Sequence, residues 1–330
     1  MNELSVIVPV HNAQDFLQTS LATMRQNHRE GIEFIVIDDA SEDDTPRIIE
    51  AALPSMPYIT FIRNEENLGV AKSRNVAMEQ VDSHYLSYFD ADDWYAPGHL
   101  PRLIEAIKTI GTDMVRIDHV RSVEFRRTLQ VAPEEHRNLP LASREGLGLP
   151  GSLSIVDYPF LWAGIYDLTK IDRSLFGFHE HLRTAADRPW FWRMHLHTKD
   201  YAVVDGLAGY FYRKDPNWRA LTQGGNPNTL HFIDAYHLIW DQAFAADDDG
   251  YIRKAAYGGL RITDFHIKSR DRLSPELQEL LYRKAAVFLS RLDQERFDQA
   301  VRFFARPSRI VLSKLYEAGV AARDRFGATA

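Results

Sequence analysis

The stretch YLSYFDADDWYAPG, residues 85–98, sets three carboxylates (Asp90, Asp92 and Asp93) directly behind a short apolar run. YLSYF (85–89) reads as a buried strand, so the acids fall where that strand ends. Like charges repel, which makes the cluster costly unless the turn is open to water or a cation joins it. The neighbouring elements decide between these readings.

Upstream, strand-like and helix-like patterns alternate. LSVIVPV (4–10) is short, β-branched and bounded by HNAQD, and residues 15–26 then put Phe16, Leu17, Leu21 and Met24 on one helical face. EFIVI (33–37) is a second buried strand, ending at Asp38 and Asp39. Thr45-Pro46 reads as a helix start, a hydroxyl at the N-cap and a proline where no amide donor is needed; Ile48, Ile49 and Leu53 carry its apolar face. YITFI (58–62) is a third strand, and a helix near 70–80 leads to YLSYF. Downstream, Leu100, Leu103, Ile104, Ile107 and Ile110 keep helical spacing before DMVRI (113–117). Strands alternating with helices predict an α/β domain with a largely parallel sheet. Such sheets bind ligands outside the carboxyl ends of their strands, where Asp38, Asp39, Asp90 and Asp92 fall.

The bulk properties narrow the function. With 330 residues, 45% hydrophobic and 26% charged, the chain can bury a large core and carry an appendage. Lys and Arg number 39 against 46 Asp and Glu, a net charge of -7, which disfavours nucleic acid as the main partner. The absence of cysteine excludes disulfides and thiolate metal sites. MNELSVIVPV has no basic n-region, and no apolar run reaches the ~18 residues of a membrane span. A cytoplasmic protein, with membrane association left open, is the expectation. Residues 132–154 are rich in Pro, Gly and Ser without periodicity, a long loop of the kind that forms lids or binding loops. From 227 onward helix-like segments follow, broken at DDDG (247–250) and RLSP (272–275). The expected division is an α/β domain over 1–226 and a helical region over 227–330.

Hard divalent cations take oxygen ligands, and Mg²⁺ or Mn²⁺ commonly uses one or two carboxylates plus substrate phosphates. In Asp90-Ala91-Asp92 a turn can aim one acid at metal and the other at a ribose hydroxyl, and a bound ion removes the repulsion. Asp38 and Asp39 form a second acidic strand end that could accept hydrogen bonds from a base or ribose; Glu42, Asp43 and Asp44 read as a solvated turn. NEENLGVAKSRNVAME (64–79) adds Asn67, Gly69, Lys72, Arg74 and Asn75 at a helix start, where amides and cations suit phosphate. Neither a Walker loop nor GxGxxG is present.

Four elements in order, SVIVPVHN (5–12), VIDDASEDDT (36–45), NLGVAKSRN (67–75) and YFDADD (88–93), make the chain resemble the family 2 glycosyltransferases of the GT-A fold. The resemblance covers roughly the first 100 residues. It implies a Rossmann-like, mostly parallel mixed sheet that holds a nucleotide-sugar, UDP-linked, and Mn²⁺ or Mg²⁺, with a C-terminal helical appendage. Carried over by position, Pro9, Val10, Asn12 and Asp39 meet the base and ribose, with Asp38 beside them; Asn67, Lys72 and Arg74 line the nucleotide pocket; Asp90 and Ala91 contact the nucleotide and Asp92 the metal. His11 stands where the family usually has Tyr. FGFHEHLRTAADRPWFWRM (176–194) resembles the acceptor-side segment, with Asp187 at the position of the catalytic base, although Ala186 precedes it where the family often has Glu or Gly. GYFYRKDPNWRALTQ (209–223) resembles a loop that closes over the diphosphate, with Arg213 and Lys214, then Arg219, as its cations.

The implied activity is inverting, metal-dependent transfer of a hexosyl or N-acetylhexosaminyl group to a glycan or lipid-linked glycan acceptor, in surface polysaccharide or glycoconjugate synthesis. A nucleotidyltransferase would need a Gly-rich basic loop after the first strand, which VPVHNAQD lacks. A non-catalytic nucleotide-sugar-binding or scaffold protein of the same fold is the rival. The histidine pairs HEH (179–181) and HLH (195–197) diverge in direction on a helix and do not make a metal site. Trp162, Trp190 and Trp192 are core or sugar-stacking rings, core being expected for at least two. Residues 306–327 mix arginines with Ile310, Val311 and Leu312, as a helix packed on its own domain or a second subunit would, or one lying on a membrane.

Overall fold

The computed structural model describes residues 1–214 and 225–326. The chain forms two units: the first takes 1–146, 155–181 and 194–218, the second 147–154, 182–193 and 219–330.

The first unit opens with β1 (Asn2–Val10), α1 (Gln14–Asn27), β2 (Ile32–Asp38), α2 (Thr45–Ala52), β3 (Ile59–Arg63), α3 (Val70–Met78) and β4 (Ser83–Tyr88). It continues through β5 (Trp94–Tyr95), α4 (His99–Ile110), β6 (Met114–Ile117), β7 (His119–Val123), β8 (Arg126–Gln130), β9 (Leu141–Ala142) and β10 (Gly164–Asp167). Helix α5 (Asp187–His197) crosses the division at 193/194, and β11 (Asp200–Val204) and β12 (Tyr210–Arg213) complete the unit.

The main sheet has the order β3-β2-β1-β4-β10-β6-β11-β9. β3, β2, β1 and β4 are parallel, whereas β10 runs against both β4 and β6. Continuous apolar runs such as Val6–Val8 and Phe34–Ile37 are fully buried, as strands covered on both faces require. Chain order reverses between β1 and β4, so the crevice at their carboxyl ends is the topological switch point. A second sheet, β5-β12-β7-β8, follows the acidic turn. Its strands were absent from the sequence reading, as was the reversal of β10.

Two local expectations change. Thr45 does not cap α2: its hydroxyl accepts from the Ala13 amide at 2.8 Å, and Asp44 holds the N-cap position. Residues 132–154 contain β9 and a 3₁₀ turn at Ser143–Leu147 within the expected loop. All three tryptophans, Trp162, Trp190 and Trp192, are core.

The second unit contains α6 (His231–Ala245), α7 (Asp249–Lys268), α8 (Pro275–Leu289), α9 (Gln294–Val301) and α10 (Arg306–Phe326). Asp248, Ser274 and Asp293 cap α7, α8 and α9 by accepting from amides in the first turns. α10 packs on α8, burying Leu312 and Tyr316 while Ile310 and Val311 stay exposed. No helix among the described residues is long and apolar enough to cross a membrane.

Candidate functional site

The carboxyl ends of β1, β2 and β4 are tied to one another. The Asp39 amide donates to the Val10 carbonyl at 2.8 Å and the Phe89 amide to that of Ile7 at 3.0 Å. Beyond Pro9 and Val10, Asn12 takes a left-handed conformation (φ 48) that an Asn tolerates. Its amide donates to Ser41 Oγ at 2.9 Å, and its side-chain oxygen accepts from the Glu42 amide at 2.9 Å. Gln14 and Asp43 add a reciprocal pair, Gln14 N to Asp43 Oδ2 at 3.1 Å and Asp44 N to Gln14 Oε1 at 3.0 Å. The β1–α1 and β2–α2 loops are therefore one hydrogen-bonded body. Glu42, Asp43 and Asp44 line an open groove of about 600 Å³ together with Arg47, Glu50 and Arg63, as a solvated turn should.

The two acids after β2 are both engaged. Asp38 is fully buried, held by the Ser41 hydroxyl and by Arg63 Nε at 3.2 Å, so its carboxylate closes the turn. Asp39 accepts from Asn64 Nδ2 (2.9 Å) and from the Leu68 and Gly69 amides (both 2.8 Å). It thereby sets the start of α3, where Gly69 has φ +85, a conformation side chains resist. Asn67 beside it lies 3.1 Å from His11 Nε2, an exposed contact over the same loops.

On α3 the cations separate. Lys72 is half exposed and only 3.9 Å from Glu180, a loose pair. Arg74 is 8% exposed and reaches Asp90 Oδ1 at 3.1 Å, its guanidinium over the rings of Tyr88 and Phe178. Asn75 holds the Phe178 amide (2.7 Å) and carbonyl (3.0 Å), fixing residues 178–180 on the helix.

The acidic turn is held from both sides. Ser20 Oγ on α1 lies 2.6 Å from the Ala91 carbonyl, 3.0 Å from that of Asp93 and 3.3 Å from that of Phe16, one proton shared among three acceptors. From β12, Tyr210 Oη donates to Asp93 Oδ2 at 2.7 Å and accepts from the Asp90 amide at 3.2 Å. The Arg213 amide donates to Asp93 Oδ1 at 2.6 Å and its Nε to the Asp92 carbonyl at 2.7 Å, the guanidinium lying between Phe16 and Trp94. Lys214 continues from β12, its amide on the Ser122 carbonyl at 2.8 Å, and Arg219 lies outside the described residues. Tyr210→Phe removes a hydroxyl that satisfies the buried Asp93 carboxylate and the half-buried Asp90 amide, so a loss of about 1–3 kcal/mol in denaturant unfolding is expected. An unchanged midpoint would mean that the turn does not depend on β12.

Electrostatics distinguish the three acids. Burial, then Asp90, pushes Asp92 up to about 6, and burial, then Asp92 and Asp90, pushes Asp93 well up. Asp93 is enclosed and satisfied by Tyr210 and Arg213, and Asp90 is paired with Arg74. Asp92 receives no side-chain hydrogen bond among the described residues. No cluster of three or more ligating side chains occurs among them either. One carboxylate held against like charges, without a complete protein cage, fits a cation that draws its remaining ligands from a diphosphate and water.

Asp187 is the first residue of α5, half-buried, and stands two residues after Ala185, whose left-handed conformation (φ 62) a non-glycine residue adopts at a cost. Thr184 Oγ1 on the Asn228 carbonyl (2.5 Å) and the Arg183 amide on His231 Nδ1 (2.9 Å) hold that segment. Sequence reasoning missed Ser20, Ser41, Asn64 and Tyr210 as builders of the site, because each acts through contacts 9 to 120 residues away.

Comparison with known proteins bears on this arrangement. A family model described as Glycosyl transferase family 2 matches residues 5–162. The teichoic acid poly(glycerol phosphate) polymerase of Staphylococcus epidermidis is 33% identical over 94 residues, 28% of this chain and 13% of that protein. The chain spans under two thirds of the length of the curated relatives it first matches, from 13% to 62%. Residues 1–349 of TarS from S. aureus, in complex with UDP-GlcNAc, superpose with a TM-score of 0.72 at 18% identity, covering 98% of this chain and 92% of that one. The mannosyltransferase PcManGT from Pyrobaculum calidifontis, in complex with GDP-Man and Mn²⁺, gives 0.51 at 14% identity, covering 98% and 87%. At these identities the two structures bear on fold alone.

Proposed function

Because residues 5–162 match the family model for glycosyl transferase family 2 and the chain has the GT-A fold, we propose that it is an inverting, metal-dependent glycosyltransferase using a UDP-sugar. The observation that carries this is Asp92, half-buried at a sheet's switch point with a raised carboxyl group and no side-chain donor among the described residues. TarS in its UDP-GlcNAc complex supports the donor class, and PcManGT with GDP-Man and Mn²⁺ supports the ion. The S. epidermidis polymerase supports a role in surface polymer synthesis.

In this reading the β1–α1 and β2–α2 body, with Pro9, Val10, Asn12 and Asp39, seats the base and ribose. Asp38 braces that body from inside, and Asn67, Lys72 and Arg74 stand along the nucleotide. Asp90 and Ala91 meet the nucleotide, and Asp92 would hold Mn²⁺ or Mg²⁺. The ion, when bound, supplies positive charge for the departing diphosphate. Arg213 and Lys214 add fixed positive charge on the same side. Asp187 takes the proton of the acceptor hydroxyl. The acceptor oxygen bonds to the anomeric carbon from the face opposite the leaving group, and the electron pair of the broken C–O bond departs with the diphosphate, inverting the centre. We assign this domain to 1–226 and the helical appendage to 227–330.

The test is thermal stability with UDP, GDP, CDP or dTDP, each with and without Mn²⁺. A ligand at ~100 times its dissociation constant stabilises by about 2.7 kcal/mol. A shift with UDP that Mn²⁺ enlarges and Asp92→Ala abolishes is the expected result. Equal shifts with and without Mn²⁺ would remove the metal, and no shift with any nucleotide would remove the donor site.

A further inference from the structure

The second unit presents a surface that the transferase reading does not use. Residues 147–154 carry no charged side chain, yet Leu149 is 71% and Leu153 65% exposed. The loop is fixed in place. Lys254 of α7, 1% exposed, donates to the Ser152 carbonyl at 2.8 Å and approaches that of Leu149 at 3.4 Å. Ser154 Oγ closes the base of the loop on the Leu147 carbonyl at 2.8 Å. Gly151 (φ +85) lies so close to Phe303 that a methyl group there would overlap the ring.

Phe303, itself 54% exposed, belongs to the elbow between α9 and α10. Residues 299–316 contain Arg302, Arg306, Arg309 and Lys314 and no acid, in a chain whose net charge is -7. Arg253 and Arg296 are paired with Asp249 and Asp293, whereas Arg302, Arg306 and Arg309 have no carboxylate partner among the described residues. Leu149, Pro150, Phe303, Arg253, Arg296 and Arg302 line a groove of about 370 Å³ without a carboxylate. Exposed apolar side chains beside unneutralised guanidinium groups match the two zones of an anionic bilayer surface, acyl chains below and phosphates above.

We propose that the 148–153 loop and the α9–α10 elbow dock the protein on an anionic lipid bilayer, Leu149, Leu153 and Phe303 entering the acyl boundary and Arg302, Arg306 and Arg309 meeting lipid phosphates. This surface is distinct from the proposed donor site and does not depend on it.

The experiment is flotation of the full chain with vesicles of equimolar phosphatidylglycerol and phosphatidylcholine, or of phosphatidylcholine alone. Wild type should float only with the anionic vesicles and be released on going from about 0.1 M to about 0.5 M salt. Each of Arg302→Gln and Arg306→Gln should weaken binding about fivefold. Leu149→Ser/Leu153→Ser should lower it further, with an unchanged melting temperature. Failure of wild type to float with anionic vesicles overturns the proposal, and so does flotation that ignores both sets of substitutions. So would a concentration-dependent dimer broken by Leu149→Ser/Leu153→Ser, which would make a second copy the occupant.

Discussion

Asp187→Asn is expected to lower sugar transfer by about 10²- to 10⁴-fold while leaving nucleotide affinity unchanged. The amide keeps the volume and the hydrogen-bonding oxygen at the head of α5 but accepts no proton. Donor turnover in single-turnover mixtures, with water or a glycan as acceptor, gives the rate, and nucleotide titration gives the affinity. Asp187→Glu, which keeps the base but displaces it, should recover part of the rate. Equal rates for wild type and Asp187→Asn would assign the proton transfer elsewhere. A collapse of affinity and melting temperature together would make Asp187 a helix-start residue. Donor bound normally by a wild type that turns nothing over would favour the scaffold reading.

Acidification from pH 7 to pH 5 should destabilise the ligand-free chain by several kcal/mol, much of the ~5–15 kcal/mol typical of a domain. His99, His119, His195 and His266 are at most 1% exposed. Burial holds them down, His99 to about 3 and the others to about 4, with Arg102, Arg116 and Arg272 among the cations that add to it. Unfolded histidines take a proton near pH 6.5, so this stability is complete above that value and lost as pH falls toward 4, about 2 kcal/mol each by pH 5. Asp92 and Asp93 act oppositely. Their raised carboxyl groups favour the folded state as pH falls and offset part of the loss. Urea unfolding at pH 7, 6 and 5 measures the sum. His99→Leu should flatten the profile and Asp92→Asn should steepen it. A profile flat between pH 7 and 5 would mean that these histidines protonate in the folded chain.

The parallel half of the sheet was legible because strands covered on both faces read as unbroken apolar runs, and EFIVI and LSVIVPV leave little choice. Strand β10 was not, since GIYD has no periodicity and its reversed pairing rests on long-range contacts with β4 and β6. The β7–β8 hairpin carries Arg121, Arg126 and Arg127, so its polar face hid it. At the site, residue types at strand ends were readable, but their engagement was not. Asp38 and Asp39 look equivalent in sequence, yet one closes its own turn on Ser41 and Arg63 while the other spans to Leu68 and Gly69. Thr45 looked like a cap because the rule is local, whereas its hydroxyl accepts from the Ala13 amide 32 residues away.

The reciprocal bonds joining Asn12 and Gln14 to Ser41, Glu42, Asp43 and Asp44 also bear on engineering. A chimera that imports only one of the two loops from a homologue would inherit donors and acceptors cut to a missing counterpart. Crossover points for recombining nucleotide preference therefore belong outside the whole 11–45 interval. In a shuffled library, parents exchanged inside it should yield mostly insoluble progeny, and those exchanged as a block should survive.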